Sequence, residues 1–212
     1  MSKTKLAAPE MAAVEIKGMT REAFIMRGAV AAGSVYGLST VGPFVREALA
    51  QEGGGDVDIL NFALTLEFLE AAFYEMALKQ VQGLKSKTKQ VATTLRDSEN
   101  EHVDTLTATI KDLGGKPTAK PGVDFGNAFA SEQSFLKLSQ TFEDLGVTAY
   151  NGAAPDIKSK EVLAAAGSIV QVEGRHAAII RFLRGEDIGP GAFDDANSME
   201  EVLEAAKPFI KS

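Results

Sequence analysis

The two histidines of the chain occur in the same local pattern. Each follows a glutamate by three residues, in the segments Glu99-x-x-His102 and Glu173-x-x-His176. Residues three apart on an α-helix lie on one face, and both segments sit in stretches whose apolar residues recur with helical spacing. A helix that turns such a pair towards a hydrophobic core needs a reason for burying two polar side chains.

Four segments after the Gly53–Asp56 break show helical periodicity, and no stretch alternates with a period of two, so strands are not expected. Glycine follows the second segment at Gly114 and the fourth at Gly185, and Ser131 or Ser134 offers an N-cap for the third. The predicted helices span about 57–81, 87–113, 131–150 and 160–183.

The connection between the second and third helices is much longer than the other two. Residues 114–130 contain glycine and proline and have no helical period. A helix of about 25 residues is ~37 Å long, and about 17 extended residues reach up to ~56–60 Å. Two hairpins joined by one crossover form the ferritin-like type of four-helix bundle. The sequence therefore predicts an all-α fold, with a short C-terminal helix that begins at Ser198.

The two halves of this bundle repeat each other. Glu67 precedes Tyr74 by seven residues in the first helix, and Glu143 precedes Tyr150 by seven in the third. The glutamates of these two helices are 76 residues apart, and Glu99 and Glu173 are 74 apart. Each half is thus a helix with glutamate and tyrosine followed by a Glu-x-x-His helix.

With these motifs, residues 56–185 resemble the ferritin-like di-metal carboxylate proteins, which include bacterioferritins, rubrerythrins and manganese catalases. The resemblance is nearest to the subfamily related to plant desiccation-associated proteins, and the C-terminal segment is similar to it as well. The resemblance implies that Glu67 and Glu143 are terminal metal ligands and that Glu99 and Glu173 bridge two metal ions. It also implies that each metal ion is held by one histidine, and that tyrosines lie beside the ligands. The residues concerned are His102, His176, Tyr74 and Tyr150.

The physical chemistry of the ligand set agrees with this interpretation. Four carboxylates that converge in an apolar bundle are costly to bury unpaired, and two divalent cations would cancel their charge. Oxygen-rich sites with one imidazole per metal suit iron, which we expect, or manganese as the alternative. In metal-free protein, glutamine at position 99 or 173 should relieve part of the repulsion.

Simpler interpretations exist for these residues. The acids could belong to solvated helix faces, and the tyrosines could be ordinary packing residues. Phe68, Phe73, Phe142 and Phe182 are expected in the core or at a dimer face. Solvated faces are expected for Glu70, Glu75, Glu101, Asp104, Asp144 and Glu161.

The expected function is oxidation of ferrous iron by dioxygen or peroxide in a stress-protection role. The alternatives are manganese catalase-like dismutation of peroxide, or a non-enzymatic stress protein that the metal stabilises. We expect a homodimer or a higher homo-oligomer. The net charge of −7 argues against a nucleic-acid partner, and the absence of cysteine excludes disulfides and thiol catalysis.

Residues 1–50 form an N-terminal extension, followed by the bundle at 51–185 and a tail at 186–212. The extension has a net charge of +2 and an apolar run at 23–45. Arg27, several glycines and Pro43 interrupt this run and argue against a stable membrane span.

The same extension resembles an export signal. Basic residues precede the apolar run, and Ala48-Leu49-Ala50 fits the small-x-small pattern of a cleavage site before Gln51. The segment 20–27 is similar to a twin-arginine motif in which Glu22 replaces the second arginine. These features slightly favour an exported or periplasmic protein over a cytoplasmic one. The alternative is an amphipathic helix that stays on the mature protein.

Overall fold

The computed structural model describes residues 55–211. Four long helices and one short helix account for most of this range, with single 3₁₀ turns at Ala154–Asp156 and Lys207–Phe209. The helices and strands are α1 (Asp56–Gln80), α2 (Ser86–Asp112), β1 (Gly122–Val123), α3 (Glu132–Ala153), α4 (Lys160–Arg184), α5 (Met199–Ala206) and β2 (Ile210–Lys211).

The long helices form two hairpins. Helix α1 packs mainly on α2, and α3 packs mainly on α4. Residues 113–131 connect α2 to α3, and Asn61 of α1 anchors this crossover through bonds with Lys116 O at 3.2 Å and Thr118 N at 2.7 Å. The predicted all-α bundle with one long crossover is confirmed. The predicted N-terminal extension lies outside the described residues.

The helices begin and end at residues with matching local chemistry. Ser131 caps α3 in a capping box with Ser134, and Ser198 caps α5 in a capping box with Glu201. Gly114 and Gly185 have φ angles of 79° and 73°, which glycine adopts without steric cost where α2 and α4 end.

Helix α1 is the central element of the bundle. Its buried residues lie on every side of the helix, from Ile59 to Ala77, as expected for a helix enclosed by its neighbours. Phe73 of α1 is fully buried and makes edge contacts with Phe125 of the crossover and Phe142 of α3. Phe182 is 62% exposed, so it is not a core residue.

The expectation of no strands was wrong in one small place. Gly122 pairs with Lys211 and Val123 with Ile210, in an antiparallel ladder of two residues per strand. Such a short ladder has no period that a sequence pattern would show, and it joins the crossover to the C-terminal segment. No helix in the described range is long and apolar enough to cross a membrane.

Candidate metal centre

The six residues singled out in the sequence meet inside the bundle. Helix α1 contributes Glu67 and α3 contributes Glu143, while α2 and α4 contribute the two Glu-x-x-His pairs. The four glutamates are at most 1% exposed, and His102 and His176 are 9% and 5% exposed. The solvated-face interpretation is therefore wrong for these four glutamates.

Their ligand atoms form two groups of four residues. In each group, one atom per residue lies within 4.8 Å of the others. Glu99 and Glu173 belong to both groups, so the two groups are adjacent and share a pair of carboxylates. The groups are Glu67, Glu99, His102 and Glu173, and Glu99, Glu143, Glu173 and His176.

Each histidine points its Nδ1 atom at three glutamates. His102 Nδ1 lies 3.1 Å from Glu67 Oε2 and 3.0 Å from Glu99 Oε2, and it also lies 3.2 Å from Glu173 Oε1. His176 Nδ1 lies 2.9 Å from Glu99 Oε1 and 3.4 Å from Glu143 Oε2. The α-helical spacing of three residues thus brings each imidazole beside its own glutamate and a glutamate of another helix.

The two tyrosines cross between the halves of the bundle. Tyr150 of α3 donates to Glu67 Oε1 of α1 at 2.6 Å, and Tyr74 of α1 donates to Glu143 Oε1 of α3. Because the phenolic proton of Tyr74 is used in that bond, Ser139 donates to the Tyr74 oxygen across 2.6 Å. Each tyrosine therefore bonds the glutamate of the other half of the bundle.

This arrangement coincides with a match to a family model. The model described as ferritin-like domain matches residues 55–186, which cover all four long helices. The chain belongs to the ferritin-like domain family. No curated protein sequence matches the chain.

The donor set of this ferritin-like bundle fits metal ions. Five buried ligand atoms have no hydrogen-bond partner, although unpaired buried polar atoms are rare in folded proteins. His176 Nδ1 is one of them, because its short contacts with glutamates lack hydrogen-bond geometry. The oxygens are Glu99 Oε1, Glu143 Oε2, and Glu173 Oε1 and Oε2. These five atoms converge on one region without hydrogen bonds to one another, as the ligand atoms of a cation would.

Without metal, protons must compensate the buried charge. Burial lowers the pKa of His176, but its close contacts with Glu143, Glu173 and Glu99 raise that pKa to about 12. The pKa of His102 also rises to about 12, because contacts with Glu173, Glu67 and Glu99 outweigh burial.

The glutamates respond in opposite directions. Burial raises the pKa of Glu99, but its close contacts with both histidines lower it to about 2. Burial raises the pKa of Glu143 to about 8, and the contact with His176 offsets only part of this increase. Burial also raises the pKa of Glu67 well above 4.5. In the metal-free protein Glu99 therefore ionises at a lower pH than Glu67 and Glu143.

The structure overturns the expectation for Glu70. This glutamate is 3% exposed, and burial raises its pKa well above 4.5, with further increases from the charges of Glu173 and Glu143. It is buried because α1 is covered on every side. Its spacing of three residues from Glu67 was the signal in the sequence. Of the other acids assigned to solvated faces, Glu75, Glu101, Asp104 and Glu161 are exposed, and Asp144 is half-buried beside Arg181.

Proposed function

We propose that the bundle holds a dinuclear metal centre that oxidises ferrous iron with dioxygen or peroxide, in a stress-protection role. One observation carries the metal centre. Five glutamates are buried in one region, whereas every lysine and arginine in residues 55–211 is at least partly exposed. A buried cluster of this charge requires cations or protons, and the unpaired ligand atoms favour cations.

The two groups of four residues support a separate role for each ligand. Glu99 and Glu173 belong to both groups, so we assign them as bridges between two metal ions. Glu67 and Glu143 each belong to one group and would bind one ion each. His102 and His176 would each complete one position through Nδ1. Metal ions in two-metal sites of this kind are about 3.5–4 Å apart.

Iron suits this donor set, since it combines carboxylate oxygens with one imidazole nitrogen per position and no thiolate. With peroxide as oxidant, two ferrous ions give up one electron each and the O–O bond breaks: 2 Fe²⁺ + H₂O₂ + 2 H⁺ → 2 Fe³⁺ + 2 H₂O. With dioxygen, the same two electrons and two protons yield hydrogen peroxide.

In this proposal the tyrosines support Glu67 and Glu143, the glutamates that each belong to one ligand group. By donating to one oxygen, Tyr150 leaves the other oxygen of Glu67 directed at His102. Tyr74 acts in the same way on Glu143. Tyr150 also lines a small apolar cavity with Leu60, Ala63 and neighbouring residues.

In the test, full-length protein is prepared metal-free and then loaded anaerobically with two ferrous ions per chain. The rate at which this iron is oxidised is measured. We expect dioxygen or one equivalent of peroxide to oxidise this iron much faster than ferrous iron free in the same buffer. Glu173→Ala should abolish the acceleration. Glu101→Gln is the matched control, because Glu101 is exposed on α2 between the ligands Glu99 and His102.

Three results would separate the alternatives. Oxidation no faster than in buffer would refute the oxidase. Rapid release of one dioxygen for every two peroxides by manganese-loaded protein would instead support the catalase-like function. Metal binding that raises the melting temperature, without either activity, would support a structural role for the metal.

We also propose that the protein is a homo-oligomer. Phe182 of α4 is 62% exposed, and a large exposed aromatic side chain at this end of the helix suits a contact between copies. Sedimentation of wild type and Phe182→Ser would test this, and a wild-type monomer at high concentration would refute it.

A further inference from the structure

Glu70 is the position at which the internal repeat of the bundle breaks. Adding 76 to a residue number of α1 gives its counterpart in α3, so Glu67 matches Glu143 and Tyr74 matches Tyr150. By the same offset, Glu70 matches Gly146. One half of the bundle therefore carries an additional carboxylate where the other half carries no side chain.

Glycine at position 146 makes room for two carboxylates. A Cβ atom at this position would lie 3.3 Å from Glu173 Oε2 and 3.4 Å from Glu70 Oε1. Both oxygens therefore pack against the bare backbone of α3, and a second long side chain would not fit there. Of these two equivalent positions in the repeat, only position 70 therefore places a carboxylate beside Glu173.

A carboxylate in this place is costly unless it has a partner. Glu70 is 3% exposed, and every lysine and arginine of the described range is at least partly exposed. Its neighbour Glu173 is fully buried, and neither oxygen of Glu173 has a hydrogen-bond partner. An amide or an apolar residue would fill the space of Glu70 with a smaller desolvation penalty. A cation shared with Glu173 would compensate both.

We propose that Glu70 is a seventh metal-binding residue, which adds a fifth carboxylate to the centre beside Glu173 and makes its two metal positions unequal. The inference rests on the metal centre of the proposed function and not on its redox chemistry. With Glu70 included, the carboxylates outnumber the charges of two divalent ions, so the centre favours ions of higher charge.

The test is a titration of metal-free full-length protein with Mn²⁺. Calorimetry measures binding, and the electron paramagnetic resonance signal measures the Mn²⁺ that stays free. Wild type should bind two ions with different affinities. Glu70→Gln should weaken one of them at least tenfold, since even residues behind metal ligands change affinity by about 10–100-fold. Glu75→Gln is the matched control, because Glu75 is exposed on the same helix.

Gly146→Ala perturbs the same contact while keeping the carboxylate. Its Cβ would lie 3.3 Å from Glu173 Oε2 and 3.4 Å from Glu70 Oε1, so the Glu173 carboxylate must shift by a few tenths of an ångström. One Mn²⁺ should therefore again bind more weakly. Gly174→Ala controls for the helix propensity of alanine, because Gly174 is exposed on α4 and a Cβ there meets no atom within 4 Å. It should bind Mn²⁺ as wild type does.

A crystal structure of the Mn²⁺-loaded protein gives the direct readout. We expect a Glu70 oxygen within about 2.0–2.6 Å of one ion, the range for oxygen ligands of such cations. A longer distance, or wild-type Mn²⁺ affinities in folded Glu70→Gln, would overturn the inference even if wild type oxidises iron. Two bound Mn²⁺ ions that depend on Glu70 would uphold it even if iron oxidation fails.

Discussion

Metal-free protein should lose stability as the pH rises from 5 to 9. The pKa values of His102 and His176 are raised to about 12, and that of Glu143 to about 8. In this pH range the folded protein therefore binds more protons than the unfolded chain, and its free energy of unfolding falls with pH. The decrease is about 1.4 kcal/mol per pH unit for each additional proton that the folded state binds.

Two amide substitutions separate the roles of the glutamates. The pKa of Glu143 rises from 4.5 to about 8. Its protonated carboxyl therefore contributes stability to the fold that is fully present below pH 4.5 and is lost as the pH rises through 8. This corresponds to roughly 5 kcal/mol at pH 9. Glu143→Gln removes that penalty, less about 1–3 kcal/mol for a buried amide N–H without an acceptor. We expect a net gain of about 2 kcal/mol or more.

Glu99→Gln should have the opposite effect. The pKa of Glu99 falls from 4.5 to about 2, so its ionised form stabilises the fold above pH 4.5 and this contribution is lost as the pH falls through 2. This pKa shift corresponds to roughly 3 kcal/mol of stability at pH 9, which Glu99→Gln loses because an amide does not ionise. The sequence alone predicts relief from this substitution, and the structure reverses the sign because both histidines lie within about 3 Å of Glu99 oxygens.

The assay is urea unfolding of both variants and wild type in the presence of a chelator, at pH values from 5 to 9. Metal-loaded wild type should show the reverse pH dependence, since metal binding displaces protons and strengthens as pH rises. Equal destabilisation by Glu143→Gln and Glu99→Gln at pH 9, or a metal-free stability that increases with pH, would refute the reasoning.

Three further predictions concern other parts of the chain. His102→Ala should lower the bound Mn²⁺ from two ions to one in a calorimetric titration, because each histidine belongs to a single ligand group; two tightly bound ions would contradict the assignment. Phe73→Ala should destabilise the metal-loaded protein by about 3–5 kcal/mol in urea unfolding, because Phe73 is fully buried among aromatic rings; a loss below about 1 kcal/mol would show that the cluster repacks. We propose that residues 1–50 direct export, so mass spectrometry of protein from its native host should find a chain beginning at Gln51, whereas full-length protein in the cytosolic fraction would refute export.

The sequence determined the helices and the main ligand candidates because both depend on local spacing. A glutamate and a histidine three residues apart share a helix face wherever the helix lies, and the repeat shows that the second half of the chain uses the same device. The crossover length then allows only a few bundle topologies. These local signals are sufficient to predict one shared site for Glu67, Glu99, His102, Glu143, Glu173 and His176.

The tertiary structure decided what depends on neighbours from other helices. Glu70 has the spacing of a core residue, but only the enclosure of α1 by the rest of the bundle shows that it is buried. The crossed bonds of Tyr74 and Tyr150 join residues more than 65 positions apart. The opposite pKa shifts of Glu99 and Glu143 arise because Glu99 meets both imidazoles and Glu143 meets one. Burial and charge are summed over all surrounding elements, and a local pattern in one helix does not contain that sum.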